Sequence, residues 1–306
     1  MRALAPSLAC MQSHHITLSG HPFHYLTWGD PDLPPLLMLH GFPEFSAAWD
    51  EMATRLCHRF HCIAPDQRGY AQSWAPAEVS EYKVGKLVGD MVALIHALDT
   101  GPLTVVGHDW GAAVAYALAI SQPDLLCELI IINGVHPAPF QRELAKGGAQ
   151  SKASQYIEFL RSEEAETRLA ANDFAGFMSL FSAKMDLTWM TADKLRAYKQ
   201  AWARPGHFTG MLNWYRASPV RVAAPGVPLD DVPTYPPAHL TVTQPHLLIW
   251  GKDDTALLPE TTEGLEAYAP NLTRVTIPNA DHWICHQQPD VVADAILHWI
   301  DKPQDA

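Results

Sequence analysis

Short, continuous apolar runs that stop at glycine or polar residues restrict the fold of this chain more than any other feature. They include residues 35–40 (PLLMLH), which stop at Gly41, residues 103–106 (LTVV) and residues 129–133 (LIIIN). Runs without polar alternation are typical of strands buried on both faces of a parallel sheet. Because residues 82–98 between them carry apolar side chains at helical spacing, the pattern predicts strands that alternate with helices.

The same alternation continues on either side of these runs. The remaining strand candidates are residues 14–19, 24–28, 60–64, 245–250 and 272–277, and the remaining helix candidates are residues 112–121 and 289–300. The predicted fold class is therefore α/β, with a mostly parallel sheet and helices on both of its faces.

Residues 136–240 depart from this alternation, because they show helical periodicity and aromatic clusters but no clear strand. We interpret this segment as a helical cap inserted between two parts of one α/β core, which would comprise residues 1–135 and 241–306. Prolines crowd the end of the segment, where the chain is expected to run as an irregular link. They are Pro225, Pro228, Pro233, Pro236 and Pro237.

Charge and cysteine content argue against several function classes. A formal net charge of -12 over 306 residues disfavours a nucleic-acid partner and an anionic membrane surface. The five cysteines include no C-x-x-C pair, which favours reduced, mostly buried thiols over a disulfide framework or a metal site. The first 15 residues lack a signal-peptide pattern and no stretch approaches the ~20 apolar residues of a membrane span, so a cytoplasmic protein is expected, with homodimerisation left open.

The most informative motif is GHDWG at residues 107–111, which joins a buried strand to a helix of small residues. A strand, a G-x-D-x-G turn and a helix form the context of a nucleophile elbow, in which the central side chain points away from the sheet edge. The helix N-terminus that follows favours negative charge at that point. Asp109 is therefore the candidate nucleophile.

A carboxylate in this position suits chemistry that a serine does not. Serine attack on an sp³ carbon would leave an ether, which water does not readily cleave, whereas carboxylate attack leaves an ester. Water can then attack the carbonyl carbon of that ester. Asp109 thus indicates displacement at an epoxide or a carbon–halogen centre.

Together these motifs resemble the aspartate-nucleophile branch of the α/β-hydrolase fold, which contains epoxide hydrolases, haloalkane dehalogenases and fluoroacetate dehalogenases. The resemblance extends over nearly the whole chain and includes HGFPE at residues 40–44 and DQRGY at residues 66–70. It implies a triad in the chain order nucleophile, acid, histidine. It also implies a cis peptide bond before Pro43.

The acid and the histidine follow from this resemblance. The string WGKDDT at residues 250–255 follows a buried strand, and the family's pattern places the acid at Asp254, with Asp253 as the alternative because loop registers slip by a residue. His282, in NADHW just after the last strand, is expected to activate water while Asp254 holds its other ring nitrogen. The nearby Cys285 is interpreted as a packing residue.

Water attack on the ester creates an oxyanion, which two backbone N–H groups should stabilise. The candidates are the N–H of Trp110, directly after the nucleophile, and the N–H of Phe42 in HGFPE. We interpret His40 and Glu44, in the same string, as supports of that loop.

Leaving-group chemistry separates the two main branches of the family. An epoxide oxygen needs a proton donor, which a tyrosine supplies, whereas a halide needs only N–H donors. Tyr215 in NWYR is similar to one lid tyrosine of epoxide hydrolases, and Tyr156 in SQYIE matches the other more loosely. The chain is therefore expected to hydrolyse a small apolar epoxide with water, without a metal or an organic cofactor.

Two alternatives stay open. Trp110 and a cap tryptophan such as Trp189, Trp202 or Trp214 would hold a halide in a haloalkane dehalogenase with the same Asp-His-Asp triad, although Phe42 stands where those enzymes often carry asparagine. The other alternative is a catalytically silent binding protein, against which the intact triad argues.

Overall fold

The strand runs of the sequence assemble into one eight-stranded sheet. The structure, a computed structural model, describes residues 11–182, 184–232 and 235–302. The strands are β1 (Gln12–Leu18), β2 (His21–Trp28), β3 (Pro35–Leu39), β4 (His61–Pro65), β5 (Leu103–His108), β6 (Leu126–Ile132), β7 (His246–Gly251) and β8 (Leu272–Ile277). Their order is β1-β2-β4-β3-β5-β6-β7-β8.

Strands β3 to β8 run parallel, whereas β1 pairs with β2, and β2 with β4, in antiparallel register. The fully apolar runs account for this arrangement, because the inner strands are covered on both faces. β3, β5, β6 and β7 are mostly buried, while β1 and β8, at the two edges, are mostly exposed or half-buried.

Twelve α-helices lie in the described residues. They are α1 (Asp50–Leu56), α2 (Val84–Leu98), α3 (Trp110–Ser121), α4 (Pro137–Ala145), α5 (Ala149–Ala153), α6 (Gln155–Arg161), α7 (Ala165–Ser182), α8 (Ala192–Trp202), α9 (His207–Ala217), α10 (Pro237–Leu240), α11 (Ile284–Gln287) and α12 (Pro289–Ile300). Short 3-10 helices span Ser46–Trp49, Val79–Tyr82, Pro123–Leu125, Pro259–Thr262 and Leu265–Ala267.

Two hydrophobic cores cover the two faces of the sheet. On one face α2 and α3 pack Leu87, Met91 and Leu118 against the strands. On the other face α1 and α12 bury Met52 and Ile296. The predicted α/β class, with a mostly parallel sheet and a helical layer on each face, is thereby confirmed.

Some local predictions need adjustment. α3 begins at Trp110, two residues before the predicted start, because the strained turn at Asp109 leads directly into the helix. Tyr82 belongs to a 3-10 turn and not to α2, which starts at Val84. α1 was not predicted, because a seven-residue helix is too short to show two full periods of apolar residues.

Helices α4 to α10 all lie between β6 and β7, and the described residues of this segment contain no strand. Aromatic contacts form its interior, with Phe177 at 4.7 Å from Trp202 and 5.1 Å from Phe208 between ring centroids. Its indole groups also attach it to loops of the sheet, because Trp202 donates a hydrogen bond to the carbonyl of Pro43 and Trp214 donates one to that of Arg68. Pro233, at the predicted link, lies outside the described residues.

The cysteines are less buried than expected. Cys57, Cys62, Cys127 and Cys285 are free. Cys62 and Cys285 are buried, but Cys57 is half-buried and Cys127 is exposed on β6, while Cys10 lies outside the described residues. Among residues 11–182, 184–232 and 235–302, no helix has both the length and the apolar character needed to cross a membrane.

Candidate active site

The carboxyl ends of the parallel strands converge on one edge of the sheet, where chemically active side chains collect. The loop with Phe42 follows β3, Asp109 follows β5, Asp254 follows β7 and His282 follows β8. Loops at this edge lie side by side even when their residues are far apart in sequence, so the edge is where ligands bind in open α/β sheets.

Asp109 occupies a strained turn, with φ at 51° and ψ at -120°. Such a backbone conformation costs on the order of 1–3 kcal/mol in a residue with a side chain, so the surrounding structure must impose it. Glycines make room for the turn. A Cβ on Gly111 would lie 2.0 Å from the carbonyl oxygen of Leu39, and one on Gly41 would lie 2.4 Å from the Cβ of Asp109.

His282 links two carboxylates. Its Nδ1 lies 2.8 Å from Oδ2 of Asp254, and its Nε2 lies 3.4 Å from Oδ2 of Asp109. Asp254 is buried and also accepts hydrogen bonds from the backbone N–H groups of Ala256 and Leu257. Its neighbour Asp253 is exposed, so of the two candidate acids it is Asp254 that the fold brings to the histidine.

The charges of the three groups depend on one another. Burial by itself lowers the pKa of His282, but the negative charges and hydrogen bonds of Asp254 and Asp109 outweigh it and raise this pKa well above its ordinary value. Burial likewise opposes ionisation of Asp254, yet His282 and other hydrogen-bond donors hold its pKa below the usual range. Asp254 is therefore a stable anion next to a basic imidazole.

The Asp109 carboxylate is held by the loop that follows β3. The backbone N–H of Phe42 donates a hydrogen bond of 2.8 Å to Oδ1 of Asp109. Trp110, the other candidate donor, is the first residue of α3, where backbone N–H groups have no partner within the helix. The Phe42–Pro43 peptide bond is cis, which confirms that prediction.

A cavity of about 210 Å³ opens over Asp109. Its polar lining residues are Asp109, Tyr156, Lys184, Tyr215, Thr255 and His282, and the remainder is apolar, including Phe42, Leu180, Phe181 and Trp283. The rings of Tyr156 and Tyr215 lie 6.2 Å apart between centroids. Both predicted tyrosines thus face the same cavity as the carboxylate, although they come from different helices, α6 and α9.

Both tyrosines are strongly held in the protonated form. Burial is the main cause that raises the pKa of each hydroxyl, and the negative charge of Asp109 raises it further. Each side chain is therefore a neutral O–H group beside an anion, suited to donate a hydrogen bond to an oxygen between them.

Glu44 does more than support its loop. Its Oε1 accepts hydrogen bonds from the hydroxyl of Tyr198, at 2.8 Å, and from Nε2 of His286, at 2.6 Å. Its Oε2 lies 3.5 Å from Nδ1 of His108, whose Nε2 donates to the backbone carbonyl of His282. Burial opposes the charge of Glu44, but His286 and His108 hold its pKa well below the ordinary value.

This buried network ties α8 and α11 to the loop beneath the candidate site. The sequence analysis did not find it, because 242 residues separate Glu44 from His286 and no local spacing connects them. His40 has the expected supporting role, since its Nε2 accepts a hydrogen bond from the N–H of Gln67.

Asn133 is a second residue that the sequence analysis treats only as the end of a strand. It is fully buried directly after β6, and its side-chain amide donates a hydrogen bond of 2.7 Å to Oδ2 of Asp254. Asparagine at a strand end is common in turns, so the residue type alone carried no signal of this contact.

The described residues contain no group of three or more His, Cys, Asp or Glu side chains with the geometry of a metal site. The groups gathered over Asp109 can support nucleophilic attack, proton transfer and stabilisation of an oxyanion.

The chain is similar to known proteins over most of its length. The sequence profile of the alpha/beta hydrolase fold matches residues 34–289. Epoxide hydrolase 4 of Mus musculus is 31% identical over 94% of this chain and 78% of its own, and the AB hydrolase superfamily protein YfhM of Bacillus subtilis is 33% identical over 93% and 96%. A solved epoxide hydrolase from metagenomes of hot environments superposes with a TM-score of 0.86 at 35% identity, covering 94% of this chain and 98% of its own.

Proposed function

Because the chain belongs to the epoxide hydrolase family of α/β-hydrolase-fold proteins, we propose that it converts epoxides to vicinal diols through an ester on Asp109. The observation that carries the proposal is the cavity in which Asp109 faces two buried tyrosines, with His282 beside the carboxylate. In this proposal residues 136–240 act as a cap, since they supply both tyrosines and part of the apolar lining.

The first half-reaction opens the ring. The hydroxyls of Tyr156 and Tyr215 donate hydrogen bonds to the epoxide oxygen, and Oδ2 of Asp109 attacks one ring carbon. The carbon–oxygen bond of the ring breaks, a tyrosine proton passes to the released oxygen, and an ester to Asp109 remains. Oδ2 is the attacking atom because Oδ1 is occupied by the N–H of Phe42.

Ester formation removes the negative charge of Asp109, which favours the proton transfers that the reaction needs. The negative charge of Asp109 helps to raise the pKa of Tyr156, Tyr215 and His282 in the resting enzyme. An ester is neutral, so this contribution disappears as the bond forms. The tyrosines become better acids while the epoxide oxygen needs a proton, and His282 becomes able to act as a base for the next step.

The second half-reaction hydrolyses the ester. Nε2 of His282 takes a proton from water, and the resulting hydroxide attacks the carboxyl carbon of Asp109. The negative charge that develops on Oδ1 is stabilised by the N–H of Phe42, which already lies 2.8 Å away, and by that of Trp110. The intermediate collapses and the diol oxygen takes the proton from His282. The second proton of the water leaves the Asp109 carboxyl group and restores, through solvent, the tyrosine that was deprotonated in the first half-reaction. Asp109 is then again a carboxylate, with one oxygen from water.

None of the three cap tryptophans offers a free indole N–H group to the cavity. A halide site needs free indole N–H groups, but those of Trp202 and Trp214 already donate to backbone carbonyls, at 2.8 and 2.9 Å. Trp189 stacks on His286 at 3.8 Å between ring centroids and does not line the cavity. Two tryptophans remain near the nucleophile: Trp110, whose ring lies 5.1 Å from that of Tyr215, and Trp283, which lines the cavity and whose indole N–H has no hydrogen-bond partner in the described residues. The preference for an epoxide therefore rests on the two tyrosines, which can donate a proton to the ring oxygen.

The test is a product assay on terminal and aryl epoxides and short bromoalkanes, with wild type, Asp109→Ala and Asp253→Ala. We expect diol from the wild type and none from Asp109→Ala. Activity should be unchanged in Asp253→Ala, which removes an exposed aspartate next to Asp254 in the loop after β7. Halide release without diol would assign the chain to dehalogenation instead.

A single turnover in H₂¹⁸O, with enzyme in excess, tests the ester. We expect ¹⁸O in the peptide that contains Asp109 and unlabelled diol, because the oxygen added to the substrate comes from the carboxylate. Label in the diol and none in the peptide would show that water attacks the epoxide directly and would contradict the proposed role of Asp109.

A further inference from the structure

Asn133 connects three strand ends behind the cavity. Its side-chain Oδ1 accepts a hydrogen bond of 2.7 Å from the N–H of Gly251, at the end of β7. Its backbone N–H donates to the carbonyl of Ile249, and its backbone carbonyl accepts from the N–H of Asp109, at 3.3 Å. The side chain and the backbone of one residue therefore contact different parts of the triad.

The side chain acts on the acid. Oδ2 of Asp254 accepts hydrogen bonds from Nδ2 of Asn133, at 2.7 Å, and from Nδ1 of His282, at 2.8 Å. Its Oδ1 accepts hydrogen bonds from the backbone N–H groups of Ala256 and Leu257, at 2.8 and 2.9 Å. Four donors thus fix the orientation of the carboxylate. Burial opposes the charge of Asp254, and the hydrogen bond from Asn133 is one of the contacts that lower its pKa despite burial.

The nucleophile depends only on the backbone of Asn133. A substitution that shortens the side chain keeps the carbonyl that accepts from the N–H of Asp109. The Asp109 carboxylate itself is held by the N–H of Phe42, a contact in which Asn133 takes no part. Loss of the amide should therefore disturb Asp254 and His282 while the elbow keeps its geometry.

We propose that Asn133 is a positioning residue for the second half-reaction, in which it holds Asp254 so that His282 can activate water. This inference rests on the proposed function. Ring opening uses Asp109 and the tyrosines, whereas ester hydrolysis uses His282 oriented by Asp254. Without the amide, Asp254 loses one of the donors that fix its orientation and lower its pKa, so it holds the imidazole less firmly in the orientation needed for proton transfer.

The test separates the two half-reactions in Asn133→Ala by rapid quench and intact mass spectrometry. We expect ester formation within about threefold of wild type and ester hydrolysis slower by about 10- to 100-fold, so that alkylated enzyme accumulates. The pH dependence of hydrolysis should shift as well, because the pKa values of Asp254 and His282 are coupled. A role in stability alone would change neither the partition nor the pH profile.

Gln244→Ala is the matched control, because it removes another buried amide, which donates to the carbonyl of Pro123 away from the cavity. It should lower stability without ester accumulation. If Asn133→Ala does not fold, Asn133→Ser is measured in the same way. Hydrolysis at the wild-type rate, or an equal fall of both steps, would overturn the inference. A wild-type chain that forms neither ester nor diol would overturn the proposed function itself.

Discussion

Replacing Gly41 by alanine should inactivate the enzyme while leaving most of the fold intact. The new Cβ would lie 2.4 Å from the Cβ of Asp109 and 2.6 Å from its Oδ1. Non-bonded carbon atoms rest at about 3.5–4.0 Å, so the two must separate by more than about 1 Å. Because the Cβ of Asp109 is fixed to a strained backbone, the movement displaces the whole carboxylate or the neighbouring Phe42.

A displacement of about 1 Å at a reacting atom costs about 10²-fold in rate, so we expect kcat/KM for diol formation to fall by at least about that factor. Overpacking should cost a further ~1–3 kcal/mol of stability, measured by chemical denaturation. Gly89→Ala, in the interior of α2, is the control, because nothing lies within 4 Å of its new Cβ, and it should be active and more stable by about 0.5–1 kcal/mol. A folded Gly41→Ala enzyme with activity within about threefold of wild type would refute the reasoning.

Other perturbations test the tyrosines and the buried histidines. Tyr215→Phe and Tyr156→Phe should each lower the rate of ester formation by about 10- to 100-fold, because both hydroxyls donate to the same epoxide oxygen. The double variant should lose more. Single variants that form the ester at the wild-type rate in single turnover would contradict this role. Burial lowers the pKa of His246 from 6.5 to about 3, so the unfolded chain binds a proton that the folded one does not. The neutral imidazole therefore contributes to the free energy of unfolding. This contribution is fully present above pH ~6.5 and falls by up to about 1.4 kcal/mol per pH unit below that value. Denaturation at several pH values should give a shallower slope for His246→Gln, and an unchanged slope would show that His246 titrates normally in the fold.

Local sequence was sufficient for the framework of this protein. The inner strands appear as uninterrupted apolar runs because both faces of a parallel sheet are covered, so their presence and their parallel direction can be inferred without knowing their partners. The elbow at Asp109 is visible for a similar reason, since a strand, a glycine-flanked turn and a helix lie within a few consecutive residues. A carboxylate at that point already restricts the chemistry to attack that leaves an ester.

The tertiary structure alone decided the contacts between residues that are distant along the chain. The family's pattern favours Asp254 over Asp253, but only the fold shows the contact itself, in which Oδ2 of Asp254 lies 2.8 Å from Nδ1 of His282. The network of Glu44 and the amide of Asn133 follow from the packing of loops whose order in space differs from their order in sequence. Hydrogen bonds and cavities require positions to about an ångström, whereas periodicity specifies only which face of an element is buried; the sequence could therefore indicate a nucleophile but not the side chains that hold its partners in place.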